Sequence, residues 1–212
     1  MKKISIIDYG CGNILNLVRA IKFLGYEVET THNKKEILNS SNVILPGVGA
    51  FGNATEQLKK YELQTVIIEY AKLNKPLLGI CLGMQLLLSE SHEFGTHKGL
   101  NLIEGKVIKI PNNKNKRIKI PHIGWNELYR NKDNVKLNNK VLKENLLKKN
   151  FYFVHSYICS TKDPSSTIAF SDYLGISIPA FISKKNVYGC QFHPEKSHES
   201  GLEILKNFCE IN

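Results

Sequence analysis

The 212 residues predict an α/β fold, a mostly parallel central sheet with helices on both faces and antiparallel strands at an edge. Three observations lead there. Strand and helix patterns alternate through the first ninety residues, short strands dominate from Gly99 to about Ile182, and one strand and one amphipathic helix close the chain. In order, Ile4–Asp8 reads as a buried strand. Asn13 then caps a helix whose apolar positions Leu17, Ala20, Ile21 and Leu24 recur at helical spacing, and Gly25 ends it. A strand at about Glu27–Thr31, a short helix at about Lys34–Leu38 and a strand at Val43–Leu45 follow. Asn53–Lys60 and Leu63–Leu73 carry helical patterns before an apolar strand that ends at Cys81. Farther on, turn signals fall at Asn112-Asn113, Asn131–Asn134 and Asp163-Pro164, with a helix expected near Asn139–Asn145. Val187–Phe192 reads as a strand, and Glu199–Glu210 as a helix with Leu202, Leu205 and Phe208 on one face. No repeat, low-complexity tract or linker divides residues 1–212, so one domain is expected.

Composition narrows the function classes. Hydrophobic content of 42% is that of a soluble globular protein, and the longest apolar run, near Pro76–Leu88, is too short for a membrane span. Met1-Lys2-Lys3 leads straight into a strand, which is not a secretion signal, so a cytoplasmic protein is expected. The formal charge of +10 is spread along the chain. Its densest stretch, Lys106–Lys119, lacks the interleaved aromatics of a single-strand binder, and a nucleic-acid partner is not expected. Five scattered cysteines (11, 81, 159, 190 and 209) form neither a disulfide framework nor a zinc site, so no metal is expected.

The chemistry concentrates in two places. In Pro76-Leu77-Leu78-Gly79-Ile80-Cys81-Leu82-Gly83-Met84-Gln85 a strand runs into Gly-Ile-Cys-Leu-Gly, and a helical pattern begins at once. This is the pattern of a nucleophile elbow, with small residues where a tight strand-to-helix turn has no room for Cβ atoms. A helix N-terminus favours the thiolate there. The plainer reading is a buried cysteine packed as a small hydrophobe. Near the other end, Val187–Phe192 is followed directly by His193-Pro194-Glu195. A thiol nucleophile needs a base, His193 has the right intrinsic pKa, and the rigid proline lets Glu195 reach back to orient the imidazole. A histidine at a strand end is otherwise an ordinary turn residue. Pro46–Gly49, Cys81 and His193 each follow a strand, so all three are expected at one rim of a parallel sheet.

Gly79–Gly83 together with His193-Pro194-Glu195 resembles the class I (triad) glutamine amidotransferases, which have a flavodoxin-like fold. Ile7–Asn13, Leu45–Phe51, Pro121–Asn126, Phe151–Tyr157 and Gln191–Ser197 narrow the resemblance to the glutaminase subunits of imidazole glycerol phosphate synthase, from Ile4 to about Phe208. The resemblance implies a Cys81–His193–Glu195 triad that hydrolyses L-glutamine, with no cofactor. It implies an oxyanion strand at Pro46–Gly49 with the Val48 amide as donor, beside the Leu82 amide as a second candidate. It also implies glutamine binding by Gly49, Gln85 and backbone groups of His155, Ser156 and Tyr157. A separate (β/α)₈-barrel cyclase would receive the ammonia, in a heterodimer, and make imidazole glycerol phosphate and an aminoimidazole carboxamide ribotide. Ile123, Trp125 and Lys196 are candidate contacts to that barrel.

Each residue also has a plain reading by itself. Gly47 and Gly49 fit a simple turn, Gln85 a helix surface, Trp125 the core and Lys196 a solvated side chain. The stretch Lys196–Gly201 also resembles paralogues that supply ammonia to sugar amidation in surface-glycan synthesis. A third reading is a catalytically silent binding subunit, against which the intact Cys81, His193 and Glu195 stand.

Overall fold

The computed structural model describes residues 2–111, 118–131 and 139–212. Its first half alternates as the sequence predicts: β1 (Ile4–Ile7), α1 (Ile14–Phe23), β2 (Val28–Thr31), α2 (Lys34–Asn39), β3 (Asn42–Leu45), α3 (Phe51–Lys60), α4 (Leu63–Lys72), β4 (Leu77–Ile80) and α5 (Leu82–Leu86). The second half holds β5 (Glu90–Ser91), β6 (His97–Lys98), β7 (Gly105–Lys109), β8 (His122–Glu127), β9 (Tyr129–Arg130), β10 (Asn150–His155), β11 (Tyr157–Thr161), β12 (Thr167–Tyr173), β13 (Ile176–Lys184), β14 (Val187–Cys190) and α6 (His198–Glu210). No helix among the described residues is long and apolar enough to cross a membrane.

The main sheet runs β2-β1-β3-β4-β14-β13-β12-β9. Its first five strands are mutually parallel, and β13, β12 and β9 add antiparallel at one edge. Side chains alternate between faces, as the period of a strand requires. Ile4, Ile6, Ile44, Leu78 and Ile80 pack with α1 and α6, while Ile7, Val43, Leu45 and Leu77 pack with α2, α3 and α4. The central strands β1, β3 and β4 are thus buried on both faces, which explains why they read as largely apolar runs.

Three expectations need correction. The antiparallel strands do not all join the sheet edge: β8 and β10 form a separate pair, and β11-β7-β5-β6 a separate four-stranded sheet. Asn13 occupies the N-cap of α1 but makes no side-chain cap, whereas Asn33 caps α2 by accepting from the Lys35 and Glu36 amides. The helix expected near Asn139–Asn145 is only a 3-10 turn at Glu144–Leu146. There the Asn139 side chain accepts from the Val141 and Leu142 amides, a local turn that competes with helix. The Asp163-Pro164 signal does mark a short capped 3-10 turn. Asn112-Asn113 and most of Asn131–Asn134 lie outside the described residues.

Candidate active site

Strand β4 delivers Cys81 at the sheet rim with φ +54° and ψ −108°, in a backbone region that a side-chain-bearing residue rarely adopts. The flanking glycines follow from crowding. A Cβ on Gly83 would lie 1.8 Å from the Leu45 carbonyl oxygen, and one on Gly79 would lie 2.6 Å from that of Gly83. The Cys81 amide donates to the Cys190 carbonyl at 2.8 Å, tying the turn to β14. One expectation weakens here. Helix α5 is only five residues long, so its dipole gives the sulfur less support than a full helix would. The Leu82 amide is engaged too, donating to the Gly47 carbonyl at 3.3 Å.

Strand β14 lies next to β4 with Cys190 opposite Ile80, so the residues just beyond each strand end meet. The His193 Nδ1 atom lies 2.8 Å from Glu195 Oε1, and both side chains are almost wholly buried. Pro194 starts a 3-10 turn that folds the carboxylate back, and the His193 carbonyl accepts from the Ser197 hydroxyl at 2.6 Å. Burial alone lowers the His193 pKa, but the Cys81 sulfur and the Glu195 carboxylate outweigh it and raise the pKa above its ordinary value. Glu195 occupies Nδ1, so the buried Nε2 atom is the ring atom left for chemistry. The other four cysteines are buried, and burial pushes each thiol up, Cys209 to about 12.

Cys81 and His193 line one cavity of about 400 Å³ together with Val48, Gly49, Leu82, Gln85, Glu93, Pro121, Val154, His155, Ser156 and Tyr157. Every residue expected for the oxyanion or for glutamine is on that wall. His155, Ser156 and Tyr157 form the bend at which the chain passes from β10 to β11, between the two small sheets. The Tyr157 carbonyl accepts from Gln85 Nε2 at 3.1 Å and from His155 Nδ1 at 2.9 Å. Burial and the neighbouring His122 and His193 push the His155 pKa down to about 3, so the ring is neutral. Gln85 is buried and faces the cavity, not the helix surface. In the Pro46–Gly49 loop, Gly49 has φ +96° and a Cβ on Gly47 would meet the Tyr9 hydroxyl at 2.8 Å, so the glycines have more than a turn to satisfy. The Tyr9 hydroxyl itself holds the Pro46 carbonyl at 2.8 Å.

Two residues escape a reading of the sequence. Glu93 lines the cavity and accepts from the Phe51 amide at 2.6 Å, yet Ser-Glu-Ser-His-Glu-Phe carries no local pattern that marks it. Gln191 is buried, with Nε2 3.7 Å from the Cys81 sulfur, although its motif reads as plain strand. A larger cavity of about 710 Å³ opens near Asn74 and Asn186, before β4 and β14 begin, and none of its lining residues is a cysteine, histidine or carboxylate. Among the described residues no His, Cys, Asp and Glu cluster is arranged to hold a metal ion.

Outside the cavity, Ile123 and Trp125 alternate with inward-facing residues of β8 and stay 56% and 44% exposed, so Trp125 is not a core residue. Its ring stacks on His198 at 4.8 Å. Lys196 places its ammonium 5.7 Å from the centre of the Tyr152 ring, which gives it a partner within the chain.

Comparison with known proteins agrees with this geometry. Residues 5–211 match the model of the family described as glutamine amidotransferase class-I. The chain is 42% identical, over the full length of both, to imidazole glycerol phosphate synthase subunit HisH 1 of Legionella pneumophila (strain Paris). It is 47% identical to subunit HisH of Bacillus cereus (strain B4264), covering 97% of this chain and 93% of the relative. The HisH subunit of Caldanaerobacter subterraneus subsp. tengcongensis is also 47% identical, over 98% of each. Among solved structures, one described as a glutamine amidotransferase superposes with a TM-score of 0.72 at 17% identity, covering 97% of this chain and 98% of that one. The PurLQS structure from Thermotoga maritima gives the same score and identity, covering 98% of this chain and 97% of that one. These two likenesses speak to the fold. With a matching family model along nearly its whole length and full-length relatives at this identity, the chain belongs to the class I glutamine amidotransferase family.

Proposed function

We propose that this chain, as one amidotransferase domain over residues 1–212, is the glutaminase subunit of an imidazole glycerol phosphate synthase. It would hydrolyse L-glutamine and pass the ammonia to a (β/α)₈-barrel cyclase partner. One observation carries the reading: an elbow cysteine and a carboxylate-held histidine share a single cavity. The names of the full-length relatives support the choice of synthase.

The chemistry follows from the residues. The Cys81 thiolate attacks the side-chain amide carbon, forming a C–S bond and placing negative charge on oxygen. The amides of Val48 and Leu82 are the donors for that oxyanion. Because the Leu82 amide is given to the Gly47 carbonyl, that carbonyl has to turn away first, and Gly47 and Gly49 let the loop do so. His193 protonates the departing nitrogen, the C–N bond breaks, and ammonia leaves a γ-glutamyl thioester. His193 then takes a proton from water, the hydroxide displaces the sulfur, and glutamate and the thiolate are released. Glu195 fixes the ring in both halves. Both N–H groups of the Gln85 side chain are used inside the protein, so its carbonyl oxygen and the Glu93 carboxylate are what the wall offers to the substrate's ammonium. Gly49 and the His155–Tyr157 bend complete the binding wall.

Ammonia released into water is protonated and loses its nucleophilicity, so the reaction needs a sealed contact with the acceptor enzyme. Ile123 and Trp125 are exposed apolar anchors for it, and the exposed Lys196, next in sequence to Glu195, is a cation for an acidic group on the barrel to pair with. Five unpaired cysteines support a reducing, cytoplasmic setting. The test is glutamate release with and without a purified barrel cyclase and its ligand. Weak release alone and a large increase in the complex are expected. Cys81→Ala is expected to abolish both while synthesis from added ammonium salts survives. Full glutaminase activity in that variant would refute the proposal.

A further inference from the structure

We infer that Gln191 is a further catalytic residue: its side-chain amide donates a hydrogen bond to the Cys81 sulfur and stabilises the thiolate. The inference rests on the glutaminase reading for its effect on turnover, while the acidity of the thiol can be measured without substrate.

The donor's identity does not depend on how one amide is drawn, because a backbone group fixes the polarity of the whole chain of contacts. The Tyr157 carbonyl can only accept, so the Gln85 atom 3.1 Å from it is the NH₂ group. That nitrogen also lies 3.1 Å from the Gln191 side chain, which must present its oxygen there. The remaining end of the Gln191 amide, its NH₂ group, is therefore the end 3.7 Å from the Cys81 sulfur. Gln191 is fully buried, so water does not compete for this donor.

Protonated His193 attracts the thiolate, but the sulfur has few supports besides it. Its other hydrogen-bond contact is to the Val154 carbonyl at 4.0 Å, a contact that needs the S–H proton and is lost on ionisation. Helix α5 is a turn and a half long, and the Leu82 amide faces the Gly47 carbonyl. A neutral N–H donor at the sulfur strengthens when its acceptor becomes charged, so it favours the thiolate over the thiol. It does so without adding a cation that would repel protonated His193. Gln85 acts through Gln191 and is a positioning residue in this respect.

The test is the pH dependence of Cys81 alkylation by iodoacetamide in the full-length protein, read by peptide mass spectrometry from about pH 5 to about pH 9. Gln191→Met keeps the volume and removes the donor. Its inflection is expected to move up by about one pH unit, roughly tenfold less thiolate below that range. Gln191→Glu, which still accepts from Gln85 but turns a carboxylate oxygen to the sulfur, is expected to move it further. An inflection unchanged in folded Gln191→Met overturns the inference. Should that variant not fold, the wild-type protein decides. The Gln191 side-chain amide proton should move downfield in NMR as Cys81 ionises and stay still in Cys81→Ala. A proton indifferent to the Cys81 titration overturns the inference as well. Shifted alkylation in a protein that releases no glutamate, with or without its partner, would sink the glutaminase reading and leave this one standing.

Discussion

Replacing Gly83 by alanine tests the elbow at its tightest point. The new methyl would lie 1.8 Å from the Leu45 carbonyl oxygen, where ordinary contact begins at 3.4 Å, a deficit of about 1.6 Å. The obstacle is backbone of a fully buried strand and cannot rotate away. Alanine gains about 1 kcal/mol of helix propensity over glycine, but overpacking of this kind costs 1–3 kcal/mol and here should reach the upper end or beyond. A net loss of about 2 kcal/mol lowers the melting temperature by roughly 4–8 °C in a chain of this size. Relief by sliding α5 away from β3 would displace Cys81, and a shift of about 1 Å costs on the order of 10² in rate. Calorimetry and glutamate release with the partner measure both effects. Gly25→Ala is the control: no atom lies within 4 Å of its added methyl, so only its φ of +84° is strained, at about 1–2 kcal/mol and with no effect on rate. Native stability together with native turnover in Gly83→Ala would refute the packing argument.

Other outcomes follow from the same geometry. Glu195→Gln removes a charge that raises the His193 pKa, so an NMR titration should show the ring ionising at lower pH, and glutamate release should fall by at least tenfold. Glu93→Gln is expected to raise KM for glutamine more than it lowers kcat, as steady-state kinetics with the partner will read. Trp125→Ala should weaken partner binding by about tenfold in calorimetric titration while leaving the melting temperature nearly unchanged, because the ring is half exposed. His155, held neutral down to about pH 3 when folded, takes up a proton near its ordinary pKa only when unfolded. Its contribution to stability is therefore present above about pH 6.5 and shrinks by up to about 1.4 kcal/mol per unit as pH falls. Urea midpoints between about pH 5 and about pH 7.5 should slope less in His155→Gln than in the wild type.

How much the sequence reveals depends on how local the cause is. The parallel half was legible because β1, β3 and β4 are buried on both faces, so they read as largely apolar runs between helical periods. The elbow and His193-Pro194-Glu195 were legible because steric crowding and a proline turn act within a few residues. The small sheets were not. Whether β10 pairs with β8 or joins the main edge is a matter of long-range pairing, and alternation alone does not choose between them. Glu93 and Gln191 stayed hidden for the same reason, since each owes its place to contacts with remote segments, Phe51 for one and Cys81 for the other. Gln85 was expected at the glutamine site only through the resemblance; by helical spacing alone it reads as a helix-surface residue, because spacing does not tell that the β10–β11 bend packs against it.

The junction of β4 and β14 carries a wider consequence. Sulfur and imidazole follow the ends of two adjoining strands joined by one hydrogen-bond ladder, so their spacing inherits the stiffness of that ladder. The long excursion of chain between them supplies neither group. It can lengthen, shorten or exchange its loops while the two groups stay in register, so the surface that excursion builds can vary without disturbing their spacing.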